Sequence, residues 1–223
     1  MGDSEDETFW TAFLRRLRQR GLSGVQLVIS DAHAGLKKAI ARCCQGTTWQ
    51  RCRVHFARNL LAKVPKGSQD MVAAALRSVF VQADAQAVEQ QWDQVITMLT
   101  ENFPAAAALM EQAREDVLAF RAFPPEHWRK IWSTNPLERL NVAPRGALGS
   151  AVIKRRTHVV GIFPNDAAIV RLVGSQLQEQ QEEWQLERRR FFSEATMAKI
   201  ADPEEPLGFS ENDPAGAVAV TSR

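Results

Sequence analysis

Apolar residues recur at helical spacing along most of the chain, and two short stretches near its start are patterned as strands instead. Residues 3–21 begin with acids, continue with a helical apolar pattern and end with arginines, which predicts an amphipathic helix. The following segments predict strand 25–30, helix 35–44, strand 47–54 and helix 55–64. Because a helix separates the two strands, we expect them to pair in parallel.

The middle of the chain predicts a block of helices. Residues 69–122 are almost free of glycine and rich in Ala, Gln, Leu, Val and Glu, with Pro104 as a break between segments. This pattern favours three or four helices. Pro124, Pro125 and Pro136 then predict an irregular stretch.

Helices are expected again from Lys154 and over 165–199, the second with Asn165 as its N-cap. The tail, 201–223, has the composition of a disordered segment. The fold class that these patterns predict is α/β and predominantly helical.

Composition is that of a soluble globular protein of 223 residues with a net charge of +2. The apolar stretches fall short of the roughly 20 residues that a membrane span needs. The chain starts with acidic residues rather than a basic signal sequence, and its three cysteines (Cys43, Cys44 and Cys52) are crowded together, which favours a reducing compartment. We therefore expect a cytoplasmic protein without a membrane partner.

Two acids are candidates for chemistry. Asp31 follows the first strand, where open α/β sheets place their sites, and Glu138 opens a predicted helix near the basic run Lys154, Arg155 and Arg156. If the two carboxylates converge, they can bind divalent metal ions for phosphoryl transfer while the basic run binds a polyanion. The alternatives are an N-cap or turn role for Asp31 and a solvated helix with ordinary ion pairs for Glu138.

Other residues have weaker signals. Cys52 and His55 have a C-x2-H spacing typical of metal ligands, but the only further cysteines, Cys43 and Cys44, are adjacent within a predicted helix, which favours buried thiols over zinc. His33 lies two positions after Asp31 and is a further candidate. Three tryptophans suit core packing better than base stacking: Trp49, Trp128 and Trp132.

Five stretches together carry a resemblance to a known family: 28–36 (VISDAHAGL), 49–55 (WQRCRVH) with Arg58 and Asn59, 132–141 (WSTNPLERLN), 153–157 (IKRRT) and 160–166 (VGIFPND). Over about residues 4 to 200 the chain resembles the catalytic half of a bacterial insertion-sequence transposase of the Mutator type. The resemblance implies a partial RNase H-like fold, with about two parallel strands remaining and an all-helical insertion. It divides the chain into a partial core (1–64), the insertion (65–123), the part with the third acid (124–200) and the tail (201–223).

The family's chemistry implies roles for single residues. Asp31 and Glu138 correspond to the second and third catalytic acids, which hold Mg2+ (or Mn2+) while transposon ends are cut and joined to target DNA. Cys52 and His55 match the family's signature beside the second acid, and His33 lies close to it. The resemblance also implies that Arg139, Lys154, Arg155 and Arg156 contact DNA, and that the full-length protein is a homo-oligomer.

Two departures from the family pattern change the expectation for this chain. No strand with the first catalytic Asp precedes residue 3, and 142–152 stand where the family has two residues. Pro144 in this stretch predicts that the Glu138 helix is cut short and the basic run displaced. We therefore expect an N-terminally truncated transposase that is inactive alone; the alternative is a non-catalytic module that binds DNA or interacts with a transposase.

Overall fold

The computed structural model describes residues 6–134, 162–186 and 191–201. In chain order the elements of the first range are α1 (Glu7–Gln19), β1 (Leu27–Ser30), α2 (Ala34–Cys43), β2 (Thr48–Arg51), α3 (Arg53–Leu61), a 3-10 turn (Lys66–Ser68), α4 (Gln69–Val79), α5 (Ala85–Thr100), α6 (Pro104–Leu118), a second 3-10 turn (Ala119–Ala122) and α7 (Pro125–Ile131). The other ranges contain α8 (Asp166–Leu186) and α9 (Glu194–Ala201).

The two ends of helix α1 are set by a capping aspartate and a glycine. The carboxylate of Asp6 accepts a hydrogen bond from the backbone N–H of Phe9 at 2.8 Å, which is an N-cap. At the other end Gly21 has φ of 103°, a left-handed conformation that stops a helix. The helix packs against α2, where Arg18 donates a hydrogen bond to the carbonyl oxygen of Cys43 at 3.0 Å.

The two strands pair in parallel, as predicted, with Leu27 opposite Thr48 and Ser30 opposite Arg51. Strand β2 is shorter than the expected 47–54, because the chain turns at Cys52 and Arg53 begins α3. Since parallel strands end at the same edge of a sheet, Asp31 and Cys52 both leave the sheet at its carboxyl edge. The described part of the chain is thus a predominantly helical α/β structure with a small parallel sheet.

The predicted block of helices is confirmed as α4, α5 and α6. Pro104 occupies the first turn of α6, where a missing N–H costs no hydrogen bond. The core lies between these helices, α3 and α7, and is centred on Trp92, whose ring stacks on Phe56 at 5.7 Å between centroids. Leu27 and Ile29 of β1 pack against the same core, so the sheet and the helices share one apolar interior.

Gln50 joins β2 to the helical layer through a fully buried polar contact. Its Nε2 donates to the carbonyl oxygens of Arg51 and Val117 at 2.7 and 2.8 Å. Its Oε1 accepts a hydrogen bond from the N–H of Phe120 at 2.7 Å. These contacts join β2 to the end of α6 and the 3-10 turn that follows it, and they satisfy the buried amide of Gln50.

The proline-rich stretch after 122 is more ordered than its sequence predicts. The expectation of an irregular approach is wrong for 125–131, which form α7 with Pro125 in its first turn. The indole Nε1 of Trp128 donates to the carbonyl oxygen of Phe123 at 2.7 Å. This contact holds α7 against the segment that precedes it.

The expected single helix over 165–199 is also wrong, because residues 191–193 are not helical. Asn165 does cap α8, since its side-chain oxygen accepts from the N–H of Ala168 at 2.9 Å. Ser193 caps a separate helix, α9, by accepting from the N–H of Thr196 at 3.2 Å. Phe192 packs on the ring of His127 at 4.4 Å, a tertiary contact that favours a turn over helix continuation.

Several expectations fall outside the described residues: the Glu138 helix and its shortening near Pro144, the helix from Lys154, and the tail beyond Ala201. Within the described ranges, the helices are all too short or too polar to cross a membrane.

Candidate metal and nucleic-acid site

Asp31 lies at the carboxyl edge of the sheet with its side chain exposed. Its carboxylate makes no hydrogen bond or ion pair with any residue of the described ranges. The N-cap of α2 is His33, whose Nδ1 accepts a hydrogen bond from the N–H of Leu36 at 3.4 Å. The capping role considered for Asp31 therefore belongs to His33, and the Asp31 carboxylate is left open to a ligand.

The backbone that carries Asp31 is held by Ser30. The buried hydroxyl of Ser30 donates to the carbonyl oxygen of Asp31 at 2.8 Å and accepts from Nε1 of Trp49 at 2.9 Å. Trp49 is in turn covered by the ammonium group of Lys37, 4.2 Å from the ring centroid. These contacts fix the end of β1 and with it the direction in which the chain leaves the sheet.

Cys52 connects the two segments that carry the candidate acids. Its backbone N–H donates to the carbonyl oxygen of Ser30, the residue before Asp31, at 2.7 Å. Its Sγ accepts hydrogen bonds from the N–H and the hydroxyl of Thr134 at 3.4 and 3.3 Å. Thr134 precedes Glu138 by four residues. Cys52 is fully buried, and Thr134 is half-buried.

Arg53 strengthens the same connection. Its backbone N–H donates to the carbonyl oxygen of Trp132 at 2.9 Å. Its guanidinium lies 4.2 Å from the centroid of the Trp132 ring and 5.1 Å from that of Phe80, and burial lowers the pKa of this group. Residues 132–134 are thus held against the start of α3 by backbone, thiol and cation–π contacts.

The tryptophans divide between core and edge. Trp128 and Trp132 are buried and meet Phe120 edge to face at 5.2 and 5.7 Å. Their rings are therefore committed to the core, in agreement with the packing interpretation. Trp49 lies at the sheet edge beneath Lys37.

Sequence reasoning missed Arg51, the last residue of β2. It is buried, with its guanidinium 5.2 Å from the centroid of the Phe56 ring. Burial lowers the pKa of Arg51, while the negative charges of Asp116 and Asp31 partly oppose that shift. An arginine beside a cysteine gives no signal of burial in the sequence; only its place opposite Ser30 in the register could have indicated a position near Asp31.

The two residues of the C-x2-H pair differ in burial: Cys52 is buried, and His55 lies half-buried in the first turn of α3. Cys43, Cys44 and Cys52 are all free thiols, and burial raises the pKa of Cys44. In the described ranges, the His, Cys, Asp and Glu side chains form no group of three or more suited to a metal ion. Glu138, Arg139, Lys154, Arg155 and Arg156 lie outside those ranges, so their place relative to Asp31 stays a prediction.

Together these contacts define an α/β protein with an open carboxylate and a desolvated arginine at the carboxyl edge of a parallel sheet. The family described as Transposase, Mutator family, matches residues 1–187. The chain belongs to this family of transposases.

Known relatives agree with this assignment. The chain is 48% identical over 207 residues to the transposase for insertion sequence element IS1081 of Mycobacterium tuberculosis, covering 91% of this chain and 48% of the relative. It is 36% identical over 193 residues to that of ISRM5 of Rhizobium meliloti, covering 86% and 46%. It is 32% identical over 191 residues to that of IS256 in transposon Tn4001 of Staphylococcus aureus, covering 85% and 46%. The chain spans about half the length of these curated relatives.

Proposed function

We propose that this chain contributes to DNA transposition through metal-dependent phosphoryl transfer, with Asp31 and Glu138 as ligands of Mg2+ (or Mn2+). The observation that carries the proposal is the contact between Cys52 and Thr134. It ties the chain leading to Glu138 to the strand end that presents Asp31. This contact supports the proposal that the carboxylates of Asp31 and Glu138, which are distant in sequence, lie close together.

The surroundings of Asp31 suit a hard divalent cation. Its exposed carboxylate is not occupied as a helix cap, and carboxylate oxygens are the ligands that Mg2+ prefers. When bound, such an ion supplies charge stabilisation to a phosphate under attack and lowers the pKa of an attacking hydroxyl or water. Ser30, Trp49 and Cys52 keep the Asp31 backbone in place while this occurs.

The DNA partner and the wider fold belong to the same proposal. Arg139, Lys154, Arg155 and Arg156 are proposed to bind the phosphate backbone, because guanidinium and ammonium groups neutralise phosphates. The parallel pair with its helical block is proposed to be part of an RNase H-like domain of a homo-oligomeric transposase. The parallel register of β1 and β2 and the position of Asp31 at their carboxyl edge support that interpretation.

Metal binding tests the proposal most directly. Electron paramagnetic resonance of free Mn2+ would be recorded while the chain is titrated, for the wild type, Asp31→Asn and Asp70→Asn. Asp70 is an exposed acid in the first turn of α4 and serves as the matched control. We expect Asp31→Asn to weaken Mn2+ binding at least about tenfold, as loss of a charged ligand should, and Asp70→Asn to leave it unchanged. Equal binding by all three proteins would refute the assignment of Asp31.

A nicking assay on supercoiled plasmid with Mg2+ addresses activity. Turnover that disappears in Asp31→Ala would establish catalysis and overturn the expectation, drawn from the sequence, that this chain is inactive alone. Salt-dependent DNA binding without metal binding would instead favour the alternative of a non-catalytic DNA-binding module.

A further inference from the structure

Arg51 carries a buried charge that no part of the described chain neutralises by direct contact. Only 9% of the residue is exposed, and its Nε is enclosed without a hydrogen-bond partner from the described part of the chain. Its terminal nitrogens are not enclosed in this way, and they make no hydrogen bond or ion pair with a residue of the described ranges. The guanidinium carbon thus lies against the Phe56 ring, 5.2 Å from its centroid, while the terminal nitrogens are not fully enclosed.

The two nearby acids do not account for this arginine. Asp116 contributes to its electrostatic environment, but that carboxylate is engaged by Lys37, whose Nζ donates to both oxygens at 3.1 and 2.9 Å. Asp31 is exposed and lies beyond ion-pair distance of Arg51. A desolvated guanidinium without a partner in the described ranges is costly, and an anion that reaches the carboxyl edge of the sheet would offset that cost.

We propose that Arg51 binds a phosphate oxygen of the DNA backbone beside Asp31. This inference rests on the proposed function and deepens it, because it names the group that holds the substrate at the acid. Arg51 pairs in register with Ser30, so it shares the carboxyl edge of the sheet with Asp31. A guanidinium presents planar, paired donors that match two phosphate oxygens, and one already placed against the Phe56 ring loses little further freedom on binding.

The charges at this edge agree with that role. A carboxylate that would hold a cation and an arginine that would bind a phosphate are complementary neighbours, because both would place positive charge beside the same phosphate. The negative charge of Asp31 would otherwise repel DNA from this edge. Arg51 offsets part of that repulsion before any metal binds.

DNA binding by the full chain tests the inference. Fluorescence anisotropy of a short fluorescein-labelled duplex of mixed sequence would be measured between about 50 and 200 mM salt, with EDTA present. The variants are Arg51→Gln and Arg51→Lys, with Arg77→Gln, an exposed arginine of α4, as the control for loss of one charge. Near-ultraviolet circular dichroism of the tryptophans reports whether each variant keeps its core.

We expect Arg51→Gln to bind about tenfold more weakly and to lower the slope of log affinity against log salt by about 0.9, the value for one phosphate contact. Arg51→Lys should keep the slope but lose affinity, because an ammonium lacks the planar fork. Arg77→Gln should match the wild type. If Arg51→Gln does not fold, the comparison of Arg51→Lys with the wild type tests the inference instead. A DNA affinity of Arg51→Lys equal to that of the wild type would then overturn it.

The outcomes distinguish a failure of the Arg51 role from a failure of the proposed function. If Arg51→Gln binds DNA with the same affinity and salt slope as the wild type, Arg51 has no role in DNA binding, and the proposed function still stands. A wild type without salt-dependent DNA binding removes the DNA partner of the proposed function and the role of Arg51 with it.

Discussion

The thiol sulfur of Cys52 accepts two hydrogen bonds from Thr134, one from its backbone N–H and one from its hydroxyl, although 82 positions separate the two residues. The backbone of Cys52 also binds Ser30, the last residue of β1. One buried residue, through its backbone and its thiol, therefore links the strand end at Asp31 to the segment that leads to Glu138. The C-x2-H signature acquires a structural meaning at its cysteine without any metal being invoked.

Removal of the Cys52 thiol should destabilise the fold. In Cys52→Ala the two donors of Thr134 lose the Cys52 sulfur as an acceptor and a small buried cavity remains, so we expect a loss of about 1 to 3 kcal/mol in the free energy of unfolding. Urea denaturation followed by tryptophan fluorescence measures it. Cys44→Ala is the matched control, because the Cys44 thiol is partly exposed and makes no side-chain hydrogen bond with a described residue, and it should change stability by less than about 0.5 kcal/mol.

Gln50→Leu should break the connection between β2 and the helical layer. Leucine keeps most of the volume but leaves the N–H of Phe120 and the carbonyl oxygen of Val117 without their buried partner, at a cost of about 2 to 4 kcal/mol. Thermal unfolding monitored by circular dichroism would register a lower midpoint. The same substitution at Gln90, exposed on α5, controls for the change in residue type. Equal midpoints for the two variants would mean that the Gln50 contacts contribute little.

Arg53→Met should loosen residues 132–134 without opening a large cavity. Methionine retains much of the apolar stem but loses the cation–π contacts with Trp132 and Phe80, worth about 0.5 to 2 kcal/mol. Hydrogen exchange at the amide of Thr134 should quicken, while amides in the middle of α5 should exchange at the wild-type rate. Unchanged protection at Thr134 would show that the cation–π contacts do not hold this segment.

The sequence was most informative where a local rule decides the structure. The ends of α1 follow from Asp6 and Gly21, and the two strand-like stretches on either side of α2 give the parallel pair. The rules failed where a tertiary contact overrides the pattern. Phe191 and Phe192 continue an apolar helical pattern, yet Phe192 packs on His127 and Ser193 caps a new helix. The short helix α7 was missed because paired prolines resemble a loop, although Pro125 suits a first turn.

The candidate site was predictable only in part. A carboxylate directly after a parallel strand is expected at the carboxyl edge, and this placed Asp31 correctly. The same reasoning gave no means to decide between Asp31 and His33 as the cap of α2, since both types can accept a backbone hydrogen bond. The contact between Cys52 and Thr134, and the burial of Arg51, depend on chain segments far apart in sequence. No periodic pattern reports such contacts.

The imidazole of His127 should make the fold sensitive to mild acid. The side chain is 2% exposed, its Nε2 has no hydrogen-bond partner among the described residues, and burial lowers the pKa of His127, with Lys130 adding to the shift. Since the folded pKa lies below the unfolded value of about 6.5, the unfolded chain takes up the proton first as the pH falls. The stability that the fold gains from keeping His127 neutral is therefore fully present above about pH 6.5. It is lost as the pH falls from there towards the folded pKa of His127.

Replacement of this histidine by phenylalanine tests the sign of the effect. His127→Phe preserves a ring against Phe192 and removes the proton-binding site, so the difference in unfolding free energy between about pH 7.5 and about pH 5.5 should be smaller than in the wild type. Urea denaturation at both pH values measures that difference, and His33→Gln, which alters a half-buried histidine at the start of α2, is the control. An identical pH dependence in wild type and His127→Phe would show that His127 keeps its proton equilibrium unchanged on folding.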